Sequence, residues 1–258
     1  MSLKFTILGC GSSMGVPRSD GYFGKCNPNN LRNYRTRCSA ILQTKTDSIL
    51  IDTSPDLRAQ LISNKIDNID KVLYSHMHAD QTHGINDLRV FFIKKRKPIP
   101  IYADQNTKKY LSNAFSYCFK NSNREYPAIL KMNSIKNNFL IKNGSENIKV
   151  RSVKVEHGRV NSMCYIFDKK LAYISDVSKI YKKDYRFFKK LKYLIIDCLW
   201  YKNHPSHLNL EQSLELIKIF SPKKAILTNL HSELDYKTLK KKLPKNIVPA
   251  YDGLKLYF

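Results

Sequence analysis

The sequence predicts an α/β protein in which two β-sheets pack face to face and helices cover their outer sides. Short β-rich runs recur in both halves, helical segments fall between them rather than in one block, and no repeat, low-complexity tract or linker interrupts the 258 residues. Sheets and helices each bury one face against a neighbouring layer, and this alternation satisfies both. At 42% hydrophobic content the chain can bury a substantial core but would be strained to form two catalytic domains. One domain over residues 1–258 is therefore expected.

Strand-like runs at residues 4–8, 39–43 and 48–52 are bounded by glycine, proline, asparagine or charge. Residues 9–37, rich in Gly, Pro, Asn and Arg and without a sustained period, read as a long ordered loop, and such loops are usually functional. Ser54-Pro55-Asp56 supplies a cap residue followed by proline, so a helix is expected over 57–64. A strand at 71–74, a helix at 86–94, a strand at 99–102 and a helix at 107–119 complete the first half. In the second half strands are expected at 138–142, 148–155, 163–167, 171–175, 193–196 and 224–228, with helices at 179–190, 210–220 and 236–243. The Asn- and Lys-rich stretch 131–147 reads as a surface connection.

Lysine and arginine number 45 against 21 acidic residues, and a formal charge of +24 concentrates anions around the molecule. Phosphorylated substrates or nucleic acid are favoured, although lysine runs such as 94–97 and 240–242 also read as solvated surface and charge alone does not decide. The opening apolar stretch is too short for a secretory signal, and no segment approaches the roughly 18 apolar residues of a membrane span. A cytoplasmic protein without a membrane partner is expected. No C-x-x-C pair occurs among the six cysteines, so the usual structural zinc signature is missing. Cys118, Cys164 and Cys198 lie in apolar runs and read as small buried hydrophobes.

The strongest chemical signal is Ser75-His76-Met77-His78-Ala79-Asp80-Gln81-Thr82-His83-Gly84, directly after an apolar strand. Residues two apart in an extended turn point the same way, so imidazole and carboxylate groups at alternating positions can converge on a metal. The seven histidines are at 76, 78, 83, 157, 204, 207 and 231, and all fall in loops that read as parts of one site.

With these residues the chain resembles the metallo-β-lactamase superfamily, whose hallmark is His-x-His-x-Asp-His after a strand. Downstream, Val155-Glu156-His157-Gly158, Tyr173-Ile174-Ser175-Asp176 and Leu227-Thr228-Asn229-Leu230-His231 resemble the segments that supply the later ligands. The opening Leu8 to Pro17, the phrase His83 to Arg89, Asn33 to Ser39 and His204-Pro205-Ser206-His207 are similar to the phosphoribosyl cyclic phosphodiesterase branch. The resemblance implies a four-layer αββα sandwich and one or two divalent ions, Mn, Zn or Fe. Its implied ligands are His76, His78 and His157 for one ion, Asp80 and His231 for the other, and Asp176 between them. It further implies a metal-activated hydroxide attacking a small phosphodiester, with Asp80 in the catalytic centre and His207 as the general acid.

One position departs from that pattern. Gln81 stands where the superfamily has a histidine, and an amide oxygen is a weaker donor than imidazole, so the second ion site is expected to be the weaker. His83 is a candidate substitute, or a group that touches substrate. Asp52 is expected to brace the histidine loop or to cap its strand, and Arg35, Arg37 and Arg89 either bind phosphate or lie on the surface. Two rival functions stay open: an RNA-processing nuclease, less favoured because no Gly- and Pro-rich arm is inserted, and a non-catalytic metal- or nucleotide-binding module. A small phosphorylated substrate is the expected partner, and a homodimer is compatible with the sequence.

Overall fold

A computed structural model describes residues 3–121 and 127–258. Its first half runs β1 (Lys4–Gly9), β2 (Ser39–Gln43), β3 (Ser48–Ile51), α1 (Leu57–Ser63), β4 (Lys71–Leu73), α2 (Ala79–Thr82), α3 (Arg89–Lys95), β5 (Ile99–Ala103), α4 (Gln105–Ala114) and β6 (Leu130–Ser134). The second half runs β7 (Asn138–Asn143), β8 (Glu146–His157), β9 (Val160–Phe167), β10 (Leu171–Ile174), β11 (Tyr193–Asp197), α5 (Leu210–Phe220), β12 (Lys224–Thr228), α6 (Tyr236–Lys242), β13 (Ile247–Pro249) and β14 (Leu254–Tyr257).

The strands form two seven-stranded sheets, ordered β14-β1-β2-β3-β4-β5-β6 and β13-β12-β11-β10-β9-β8-β7. Phe5, Ile7, Leu42 and Ile51 of the first sheet meet Val150, Tyr165, Phe167 and Ile195 of the second in a buried layer between them. On the other side of the first sheet, Leu50, Val72 and Ile101 pack under Leu57, Leu61, Phe91 and Leu111 of the helices. The outer face of the second sheet is covered likewise, with Ile174, Ile196 and Leu227 against Ile217, Phe220 and Leu239. Three apolar layers between four layers of elements make the expected αββα sandwich.

The strands from β3 to β6 and from β10 to β13 pair in parallel, whereas the outer hairpins are antiparallel. Parallel strands need crossovers, and their carboxyl ends therefore open together on one rim, where ligand loops collect. β4, β10, β11 and β12 all end on such loops.

Three strands escape the sequence reading. β6 lies in the stretch read as a surface connection, and it is a sheet edge whose outward Lys131 and Ser134 are the polar residues that an edge tolerates. β13 has three residues and β14 four, too few to show a period. The helix expected at 179–190 is instead a 3-10 segment, Lys182–Phe187, and the one expected at 86–94 divides into a 3-10 turn at Ile85–Leu88 and α3. Among the described residues no helix is long and apolar enough to cross a membrane.

Candidate metal centre

Both sheets contribute to the rim. β4 leads through Tyr74 and Ser75 to His76 and His78, and the turn is held in place from three sides. Asp52, at the end of β3, accepts from the Ser75 N–H through Oδ1 at 2.7 Å. Across the sandwich Met163 N donates to the Ser75 carbonyl at 2.9 Å, and the Tyr165 hydroxyl donates to the Tyr74 carbonyl at 2.6 Å. Asp52 is thus the brace that the sequence suggested.

Three ring nitrogens converge at the end of this turn. His76 Nε2 lies 2.9 Å from His78 Nδ1, which lies 3.2 Å from Nε2 of His157 at the end of β8. His157 Nδ1 is 2.7 Å from the carbonyl of Ser206, a group that can only accept, so Nδ1 carries the proton and Nε2 presents a lone pair to the cluster. Burial pushes His76 down to about 3 and lowers His78 and His157 as well, so all three rings are neutral donors at neutral pH. Neutral imidazoles packed nitrogen to nitrogen have too few protons to satisfy one another, and a divalent cation suits that donor set.

His157 also groups with Asp176, after β10, and His207, their ligand-type atoms all within 4.8 Å of one another. Burial acts to raise Asp176, but positive charge on the facing His76, His157 and His207 rings acts the other way and lowers it from the usual carboxylate value, His207 being the ring that carries such charge at neutral pH. Its two oxygens are contacted by two amides: Asn229 Nδ2 donates to Oδ1 at 3.1 Å and Gln81 Nε2 donates to Oδ2 at 3.2 Å. Gln81 Nε2 also donates to Asp80 Oδ2 at 3.2 Å. Burial, reinforced by Asp176, pushes Asp80 up to about 6.

His207 has its own carboxylate. Its Nδ1 is 2.8 Å from Oδ2 of Asp197, the last residue of β11 and fully buried. Burial opposes charge on the imidazole, yet Asp197, Asp176 and Asp80 together lift it to about 9. The Nδ1 proton is committed to Asp197, which leaves the other ring nitrogen to carry a transferable proton.

A family model for the beta-lactamase superfamily domain matches residues 47–229, most of the chain. The chain belongs to this superfamily of metal-dependent hydrolases. Among solved structures, one described as a new diphosphatase from the PhnP family superposes with a TM-score of 0.88 at 30% identity, covering 100% of this chain and 98% of that one. Zinc-bound PqqB from Methylobacterium extorquens (TM-score 0.76, 16% identity, 98% and 99% coverage) and the short form of human tRNase Z (TM-score 0.67, 14% identity, 98% of each chain) share the fold. An octanoyltransferase of Porphyromonas gingivalis is 30% identical over 256 residues, 98% of this chain and 51% of that protein. The chain spans about half the length of that relative.

Within this metallo-β-lactamase frame, the structure brings together His76, His78, His157, Asp176 and His207, with Asp80 joined through Gln81. His231 stands apart from both convergent groups: its ring stacks on Trp200 with centroids 5.2 Å apart, and its Nδ1 accepts from Glu233 N at 3.3 Å. Asn229, two residues earlier, takes the place beside Asp176. His83 is exposed and turned to the Tyr110 hydroxyl at 2.9 Å, and His204 faces Ser206 Oγ at 3.1 Å.

The arginines divide. Arg35 is 1% exposed and donates to the carbonyls of Leu234 and His231 at 2.7 and 3.3 Å, so it ties the long loop to the segment around His231. Arg37 forks onto Asp56, with Nε to Oδ2 at 2.7 Å, while Arg89 is exposed at the start of α3. Asp197 and Asn229 were the residues missed by sequence reasoning. Both lie at the carboxyl end of an apolar parallel strand, the same signal that marks Asp176.

Gly158, in the β8–β9 turn, has φ +59°, and a Cβ there would sit 2.8 Å from Ser206 Cβ. Gly158→Ala should therefore cost about 1–3 kcal/mol through strain and overpacking. It should also displace the Ser206 carbonyl that fixes the His157 tautomer. Melting curves and metal affinity measured together check this, and an unchanged pair of values would remove Ser206 from the account.

Proposed function

We propose that the chain hydrolyses a small phosphodiester, of the cyclic ribose or nucleotide-like class, at a divalent ion held by His76, His78 and His157 beside Asp176. The observation that carries this reading is the His157–Ser206 hydrogen bond, because it orients a lone pair into a cluster of three neutral imidazoles. When bound, Mn, Zn or Fe supplies a lowered pKa for water and polarisation of phosphoryl oxygens.

The chain's own residues do the rest. Asp80 and Asp176 accept hydrogen bonds from the attacking water and orient it. His207, held in one tautomer by Asp197, donates its proton to the departing ribose oxygen. The 30% identity to a PhnP-family diphosphatase over the whole chain supports a phosphorylated substrate. All six cysteines are unpaired, which fits a reducing cytoplasm.

Turnover of bis(p-nitrophenyl) phosphate with added manganese, before and after chelation, tests the reading. Metal-bound protein with no chelator-sensitive turnover would leave a binding module instead. A pH profile tests the acid. His207 is raised to about 9, so its protonated form prevails below that value and is lost above it. On a substrate with an alkoxide leaving group, rate should fall as pH rises through the alkaline range, and this limb should be absent for p-nitrophenolate.

A second reading, RNA cleavage, is favoured by one feature. A cavity of about 590 Å³ at the end of β8 opposite His157 is lined by Lys149, Arg151, Arg186 and Lys189 beside apolar Leu140 and Phe187, with the Arg151 guanidinium 4.0 Å above the Phe187 ring, so it would hold a strand away from the metal centre. Cations beside an aromatic face suit a nucleic-acid strand. Cleavage of structured RNA that declines steeply with salt would support this reading over the small substrate.

A further inference from the structure

We infer that this centre takes one divalent cation, and that the amides of Gln81 and Asn229 fill the place of a second. The inference rests on the three-histidine site proposed above and concerns its stoichiometry.

A second cation would need Asp80 and Asp176 as its carboxylates. Both oxygens of Asp176 already accept from amides, Oδ1 from Asn229 Nδ2 at 3.1 Å and Oδ2 from Gln81 Nε2 at 3.2 Å. The second proton of Gln81 Nε2 goes to Asp80 Oδ2 at 3.2 Å, so one NH₂ group spans the two carboxylates where a shared ion would stand. An NH₂ group is a donor and repels a cation, whereas an imidazole in the same place would bind it.

The orientation of these amides is fixed by their partners. Asn229 Nδ2 also donates to the Ser175 carbonyl at 3.0 Å and lies 3.2 Å from His207 Nδ1; turning the amide would bring its oxygen to that Nδ1 proton but set it against the Ser175 carbonyl and Asp176 Oδ1, two groups that only accept. Its backbone is locked as well: Asn229 is 2% exposed with φ +61°, a left-handed conformation that asparagine tolerates. Gln81 is fully buried in α2, its main-chain carbonyl accepts from Thr53 N at 2.8 Å, and its side-chain Oε1 has no hydrogen-bond partner among the described residues. Its Nε2 faces two carboxylates, so the same argument applies to its amide. Nor does His231 supply the missing donor, since its ring is stacked on Trp200 and the charges near it are Glu233 and Arg18. The residues therefore fit one cation and do not fit two.

The test counts metal. Native protein is stripped with chelator, saturated with Mn²⁺, desalted and analysed for manganese per chain, and the uptake is followed by calorimetry. Manganese is chosen because hard ions avoid the six thiols. The expected result is one manganese per chain in a single-step isotherm, with His231→Ala unchanged in count. The double variant Gln81→His/Asn229→His should gain a second manganese. Two ions per native chain, with one of them lost in His231→Ala or not, would overturn the single-cation inference while leaving the three-histidine site in place, whereas a single native ion lost in His231→Ala would overturn that site. No manganese at all would instead overturn the metal site itself. Should the double variant fail to fold, the native count and His231→Ala decide alone.

Discussion

Asp176→Asn is expected to abolish phosphodiester turnover and to weaken metal binding by more than the roughly 10–100-fold typical of losing an outer hydrogen-bond partner. Asp176 is 2% exposed and is the negative charge that His76, His157 and His207 all face. Asparagine keeps the shape but removes the charge. It also turns an NH₂ group towards either Asn229 or Gln81, which are themselves donors at 3.1 and 3.2 Å. One donor is then left buried without an acceptor, at about 1–3 kcal/mol. A chain of this size should respond with a melting temperature lower by several degrees, at about 2–4 °C per kcal/mol. Manganese titration, turnover and a melting curve on the same preparation check all three effects. A folded Asp176→Asn protein with native metal affinity and rate would show that Asp176 is not at the reacting centre.

His76, His78 and His157 were legible because two of them alternate after an apolar strand and the third ends another. Asp176 also follows an apolar strand, but Asp52 and Asp197 do so too, and it was the resemblance of Tyr173-Ile174-Ser175-Asp176 to a superfamily segment that singled it out. Side-chain direction is what sequence does not carry. His231 and Asn229 are two residues apart after β12, and only the left-handed backbone at Asn229 decides which of them meets Asp176. Arg35 read as either a phosphate donor or a surface residue, but the loop closes over it and spends its guanidinium on backbone carbonyls. In the fold the longer internal strands were read correctly, because buried strands are continuous apolar runs, while the edge strand β6 and the short β13 and β14 were missed.

The role of His207 separates along the leaving group. His207→Ala is expected to cost about 10²–10⁴-fold on a substrate whose leaving oxygen needs a proton, the usual range for general acid catalysis. With p-nitrophenolate, which departs without one, the loss should largely vanish and bound manganese should be unchanged. Asp197 sharpens this test, because its Oδ2 accepts from His207 Nδ1 at 2.8 Å, and from Val177 N at 3.0 Å, without entering the three-histidine cluster. In Asp197→Asn the amide oxygen can still accept from His207 Nδ1 and Val177 N, but the carboxylate charge that favours the imidazolium is gone. The rate should fall on the same poor leaving group and be spared on p-nitrophenolate, with the alkaline limb of the pH profile moved towards neutrality because the charge that raises His207 has gone. Equal losses on both substrates, or manganese lost from either variant, would make this pair part of the metal site and leave the departing oxygen to be protonated by another group.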